Sequence, residues 1–299
     1  MRSLTVKKKL DIDRVFDVSN YIILGIVLIV TAYPLIYILS SSFSGYDALM
    51  KGKVVLWPVD LSLAGYKAIF SDYSVIRSFL NSVFIVVVGT VLNVFLTIIC
   101  AYPLSRQDFF GRNILMFIFS FTMYFNGGMI PTFLLVKNLG LYNSRWSLIL
   151  PGAIAVYNMI ITRTYFQHNL PGEFWESAKI EGCDDFTFIR KIVVPVSRPI
   201  IAVITLYYAA FHWNSWFQAM IYLKNDDLYP LQLYLRNILV SLTQAASSMV
   251  DAENQAQRTK IVEVMRYSLI VVASVPMLIA YPFVQKHFVK GIMMGAIKG

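Results

Sequence analysis

Residues 170–199 read LPGEFWESAKIEGCDDFTFIRKIVVPVSRP and hold the most specific constellation in the chain. Leu170-Pro171 starts a helix, with Glu173 and Glu176 placed favourably against its N-terminal dipole. Phe174, Ala178 and Cys183 recur at helical spacing, and Gly182 supplies a left-handed turn at no steric cost. Phe186, Ile189 and Val193 then make a second apolar stripe, ahead of Pro195 and Pro199. An amphipathic helix–turn–helix of this kind is a plug for a partner's groove, so its chemistry is mechanical.

A second constellation is Tyr207, Tyr208, Phe211, His212, Trp213, Asn214, Trp216, Phe217 and Gln218. Aromatic faces with a few amide groups suit sugar rings, which offer apolar C–H faces and hydroxyl rims. Helical spacing puts Tyr207, Phe211 and Asn214 on one side, with Gln218 a turn further on. That side either lines a solute path or meets lipid, where Trp and Tyr also gather. Asn126, Gly127, Gly128 and Pro131 break an apolar segment. Such a break either lines a cavity or permits close helix packing. Nothing in the chain reads as catalytic. The histidines His168, His212 and His287 are scattered, and Cys100 and Cys183 have no metal-ligand spacing. No G-x-x-x-x-G-K-[ST] loop occurs, so the chain is not expected to bind and hydrolyse ATP in the usual way.

The elements that position these residues are membrane helices. Of the 299 residues, 57% are hydrophobic and only 14% charged, too little polar surface for a soluble chain of this size. The fold class is all-α and polytopic. Six segments are long enough to span the bilayer: Tyr21–Ser41, Phe79–Leu104, Ile114–Val136, Trp146–Tyr165, Val194–Leu223 and Tyr267–Val284. The net charge of +9 comes from Lys and Arg flanking these segments rather than from a basic face, which excludes nucleic-acid binding. Most of the Lys and Arg fall in the N-terminal tail, the second and fourth connections and the C-terminal tail, placing both termini in the cytoplasm. One membrane domain follows: a tail at 1–20, six helices within 21–288, and a tail at 289–299. The first apolar run is retained as a helix, since no small-residue cleavage site precedes it. External loops occupy 42–76 and 224–266, the second with a mixed-charge helical stretch near Asp251–Glu263. The informative cytoplasmic loop is 166–193.

That loop resembles the E-A-A-x-x-x-G…I-x-L-P signature of binding-protein-dependent ABC importer permeases. Glu176-Ser177-Ala178 stands for E-A-A, Gly182 for the glycine, and Ile192-Val193-Val194-Pro195 for the ending. Glu181 holds the usually acidic position before the glycine. The departures are Ser177 and Cys183, where alanine is usual, and Val194 for leucine. The resemblance implies that Glu176, Ser177, Ala178, Glu181, Gly182, Cys183 and Pro195 form or flank a coupling helix seated in an ATPase subunit. Ala101-Tyr102-Pro103-Leu104-Ser105-Arg106 resembles the maltose-type carbohydrate-uptake branch. Gly127-Gly128-Met129-Ile130-Pro131-Thr132 with Lys137-Asn138-Leu139-Gly140-Leu141 resembles its complex or acidic oligosaccharide subgroup. The ending, Phe288-Val289-Lys290-Gly291 to Gly295-Ala296-Ile297-Lys298-Gly299, is also similar to that branch.

The resemblance implies a permease subunit of the bacterial inner membrane that imports an oligosaccharide by alternating access. Its expected partners are two ATPase subunits carrying ATP and Mg, a second homologous permease, a solute-binding protein and membrane lipid. The chain itself holds no cofactor or metal. Expected solute contacts are Tyr207, Phe211, Asn214, Gln218 and Asn126. Loop 224–266, from Pro230-Leu231-Gln232-Leu233 onward, either reaches into the binding protein or is solvated. The rival readings are an ion-coupled secondary transporter, a membrane enzyme and an ABC permease for a non-sugar solute. The first is disfavoured because no charged residue lies deep in a span.

Overall fold

The computed structural model describes residues 2–245, 263–279 and 282, with side chains described over 14–241, 263–279 and 282. These residues are largely helical, without a β-strand; one isolated bridge joins Ser44 and Leu61. The helices are α1 (Arg2–Ser42), α2 (Tyr46–Met50), α3 (Ala64–Ser71), α4 (Tyr73–Ser105), α5 (Arg112–Tyr124), α6 (Met129–Asn138), α7 (Val156–Asn169), α8 (Gly172–Ile180), α9 (Asp185–Phe188), α10 (Val194–Val196), α11 (Arg198–Trp213), α12 (Trp216–Tyr222), α13 (Leu231–Ala245) and α14 (263–279). They form two compact units, one within 1–71 and 241–272, the other within 72–240 and 273–299.

Among the described residues, two helices are long and apolar enough to cross a membrane unbroken: α1 over Arg14–Ser42, and α4. Two bent pairs bring the number to four if each is one span. The third predicted span is such a pair, with α5 and α6 bent by 115° at residues 125–128. Gly128 has φ +88° and donates its N–H to Asn126 Oδ1 at 2.8 Å, which closes the turn. The fourth predicted span, Trp146–Tyr165, is not one helix. It opens with a 3-10 turn at Arg145–Leu148, passes irregularly through Pro151-Gly152, and is α-helical only in α7. Pro151 lacks an N–H and steers the residue before it out of the helical region. The fifth, Val194–Leu223, bends by 86° between Val196 and Arg198, passing as a span only as a bent pair of 185–196 with α11, and breaks again at Asn214-Ser215. The sixth coincides with α14 as far as residue 279, and 280, 281 and 283–284 lie outside the described residues. So do most of the Asp251–Glu263 stretch and the tail at 289–299. The predicted N-terminal tail is helical from Arg2 and continuous with the first span; no Gly or Pro precedes Gly25.

In the first unit, α1 carries exposed apolar side chains on every side, from Ile22 through Leu28 to Leu35, as a helix in apolar surroundings does. Its end is a serine knot. Ser40 Oγ donates to Leu56 O at 2.6 Å, Ser44 Oγ donates to Ser40 O at 2.7 Å, and Ser44 Oγ accepts from Val59 N at 3.1 Å. The knot folds the 43–63 connection back onto the helix that precedes it. α3 meets α14 at Gly65, where a Cβ would lie 2.4 Å from Ser268 Oγ.

The second unit is built on α4, which packs along α11 and α7. The seam is polar. Thr97 Oγ1 and Tyr208 Oη lie 2.7 Å apart, Tyr208 Oη accepts from Ala155 N at 3.0 Å, and Asn93 Nδ2 lies 3.0 Å from His212 Nε2. Polar groups buried between membrane helices bond across the interface for want of water. A Cβ at Gly89 would fall 2.5 Å from His212 Nε2, so this glycine sets how closely α4 and α11 approach. Gly89→Val is expected to force them apart at about 1–3 kcal/mol. A lowered thermal midpoint of the detergent-purified protein would show it; an unchanged midpoint would contradict the close approach.

At the end of α4 near Tyr73, Asn81 Nδ2 donates to Asp227 O at 2.7 Å, Arg77 pairs with Asp227, and Leu231 N donates to Ser82 Oγ at 2.8 Å. Tyr234 Oη donates to Asp72 Oδ2 at 2.6 Å. Burial first, and then the Asp72 carboxylate, push the Tyr234 phenol up to about 12. Leu231 and Leu233 are buried, so the near end of the 224–266 connection is anchored in this unit.

Candidate functional site

The 170–199 segment folds as a helix, a glycine turn and a second, irregular helix. α8 starts after Pro171, with Glu173 in its first turn. Its end is a Schellman turn: Gly182 N donates to Lys179 O and Cys183 N donates to Ala178 O, both at 3.0 Å. Gly182 has φ +77°, the left-handed conformation that an L side chain resists. Asp184 caps α9, accepting from Thr187 N at 3.3 Å, and hydrogen bonds from Thr187 hold its carboxyl below the usual range. α9 then widens into a π-turn at Ile189–Val193, where Val194 N donates to Ile189 O. Pro195, which has no N–H to give, follows that widened turn, and the chain bends at Ser197 into α11.

One side of this element is seated on the body of the unit. Ala178, Phe188 and Val193 are buried with Tyr102 and Leu104 of α4 and Phe166 of α7. The Phe188 ring lies 5.9 Å from that of Tyr102 and 5.1 Å from that of Trp175. Arg106, the C-cap of α4, closes the joint from the polar side. Its guanidinium lies 4.2 Å from the Trp175 ring centre. It donates to Asp108 through Nε at 2.9 Å and Nη2 at 2.5 Å, to Tyr102 Oη at 3.2 Å and to Asp185 Oδ1 at 3.4 Å. Donation from Arg106 holds the Asp108 carboxyl below its ordinary range. The last carbonyls of α4 are covered too: Leu104 O accepts from Arg163 Nε at 2.8 Å and Arg106 O from Arg112 Nη1 at 3.1 Å.

The other side is open. Ile180 is 88% and Phe186 64% exposed, and Phe174 is also exposed. Glu176, Ser177, Glu181, Gly182 and Pro195 are exposed as well, Cys183 is half-buried and Ala178 is buried. The two expected stripes are therefore regrouped. Ala178 and Val193 face inward with Phe188, which the spacing did not single out, while Phe174 and Phe186 face outward. The Ala101–Arg106 run was visible in the sequence, but its partners Trp175 and Asp185 lie far along the chain.

Of the expected solute contacts, Tyr207 and Phe211 are exposed on α11, on the stripe beside the buried Ile204, Tyr208 and His212. Phe211 rests over Gly152, where a Cβ would stand 3.3 Å from its ring. Asn214 is exposed at the end of α11 and donates to Ala210 O at 2.8 Å. Gln218 lies on α12, past the break at Asn214-Ser215, so the helical spacing that joined it to the others does not extend to it. Asn126 is exposed in the α5–α6 bend. Trp213 points inward, its Nε1 donating to Ala273 O at 3.0 Å. Among the described residues no group of His, Cys, Asp and Glu is arranged to hold a metal.

Comparison with known proteins matches residues 93–294 to the family model described as binding-protein-dependent transport system inner membrane component. The chain is 42% identical over 287 residues to the polygalacturonan/rhamnogalacturonan transport system permease protein YtcP of Bacillus subtilis, covering 96% of this chain and 99% of that one. It is 26% identical over 275 residues to the arabinooligosaccharides transport system permease protein AraQ of Halalkalibacterium halodurans, covering 90% and 92%. A crystal structure of a bacterial ABC transporter involved in the import of the acidic polysaccharide alginate superposes with a TM-score of 0.84 at 35% identity, over 92% of this chain and 97% of that one. The match begins within α4 and takes in the whole seated helix–turn–helix. This chain belongs to the family of binding-protein-dependent transport system inner membrane components.

Proposed function

We propose that this chain is a permease subunit of an ATP-driven importer for an acidic oligosaccharide, working by alternating access. The observation that carries the reading is the seating of α8–α10: one face is fixed into α4 and α7, and the other is open, presenting Phe174, Ile180 and Phe186 among exposed charged side chains. One of two ATPase subunits, which hold ATP and Mg, takes that open face in its cleft. The joint is close-packed and cross-linked by Arg106, so a displacement of α8 moves the inner end of α4 with it rather than being absorbed. The chain contributes no catalytic residue. A second, similar permease completes the pore, both termini are cytoplasmic, and a solute-binding protein delivers cargo from outside. The relatives named for polygalacturonan, rhamnogalacturonan and alginate support an acidic glycan as the cargo. Tyr207, Phe211, Asn214, Gln218 and Asn126 are proposed to line the path.

Uptake of labelled trigalacturonate into proteoliposomes holding the assembled importer tests this. It is expected to require ATP inside and binding protein outside. Uptake driven by an ion gradient in the absence of ATP would defeat the reading.

A further inference from the structure

We propose that Arg236, stacked on Trp216, is the group that takes the carboxylate of a uronic acid ring at the end of the second unit opposite the coupling element. The proposal rests on the acidic-cargo reading above and adds the residue that recognises the acid. The Arg236 guanidinium carbon lies 5.1 Å from the centre of the Trp216 ring. Trp216 opens α12 and is 38% exposed, with Phe217 set edge-on to it at 5.5 Å. Arg236 is held on a fixed backbone, because α13 is anchored through the buried Leu231, Leu233 and Leu235. Among the described residues no carboxylate stands within ion-pair distance of it, whereas Arg77 is paired with Asp227 and Arg106 with Asp108.

A guanidinium lying on an indole face loses water from that face but keeps its in-plane N–H fork. That fork is the group that binds a carboxylate through two parallel hydrogen bonds. The exposed edges of Trp216 and Phe217 offer apolar area for the C–H face of the same ring. Asn214 and Gln218, proposed to line the path, lie two residues to either side of Trp216 in sequence. A neutral sugar would find the aromatic area and leave the fork unused. An acidic one uses both.

The test uses the complete importer in proteoliposomes, with two probes: trigalacturonate and its carboxyl-reduced, neutral counterpart. Wild type importing trigalacturonate establishes the acidic cargo by itself; failure to do so refutes that reading independently of Arg236. Arg236→Gln is expected to lower trigalacturonate uptake about tenfold or more and to leave uptake of the neutral probe unchanged. Arg236→Lys, which keeps charge but not the planar fork, is expected to fall between. Normalising to the amount of assembled complex removes any loss in folding. Equal uptake of trigalacturonate by wild type and Arg236→Gln would overturn the proposal. So would an equal loss of both probes, which would make Arg236 a staple between α12 and α13 and nothing more.

Discussion

Gly182→Val is expected to abolish coupled uptake while the chain still inserts and accumulates in the membrane. The residue has φ +77° with no atom within 4 Å of where a Cβ would stand, so the substitution acts through the backbone and not through a clash. A left-handed L-residue costs about 1–2 kcal/mol, and a β-branched one is an outlier there. The Schellman bonds to Ala178 and Lys179 carbonyls require that conformation, so relief of strain means unwinding the end of α8. The exposed Ile180 and Glu181 then leave the positions in which, on the proposed reading, an ATPase subunit would receive them. Uptake per ATP hydrolysed, measured in proteoliposomes, should fall to background. A normal ratio would show that the turn does not transmit motion.

Phe188→Ala is expected to produce a different defect: an importer that assembles and hydrolyses ATP but transports poorly. Phe188 is 2% exposed and touches Tyr102 and Trp175. Its loss leaves a cavity in the joint that costs about 3–5 kcal/mol. The open face of Phe174, Ile180 and Phe186 is untouched, so the ATPase still docks. What is lost is the stiffness between α8 and α4, and transported solute per ATP should drop severalfold. An unchanged ratio would mean that motion reaches α4 by another route.

Much of this was legible in the sequence, for physical reasons that differ by element. α1 and α4 were readable because an uninterrupted apolar run in lipid has no alternative to a helix. The turn at Gly182 was readable because few residues tolerate its conformation. Average hydropathy makes Trp146–Tyr165 and Val194–Leu223 look unbroken because it ignores local breaks, although Pro151-Gly152 and Asn214-Ser215 stand in the sequence. The pairing of Thr97 with Tyr208 and of Asn93 with His212 was not legible. Each joins residues more than a hundred positions apart, and no local periodicity marks them. The same holds for Arg106, whose motif was visible but whose partners Trp175 and Asp185 come together only when α8 and α9 fold back.

Affinity purification of this chain from its own membrane in mild detergent tests the central claim most directly. Recovery of an ATPase carrying a phosphate-binding loop, together with a second multi-span permease, is the predicted result. Recovery of the chain alone, under conditions that keep a known importer intact, would contradict the account.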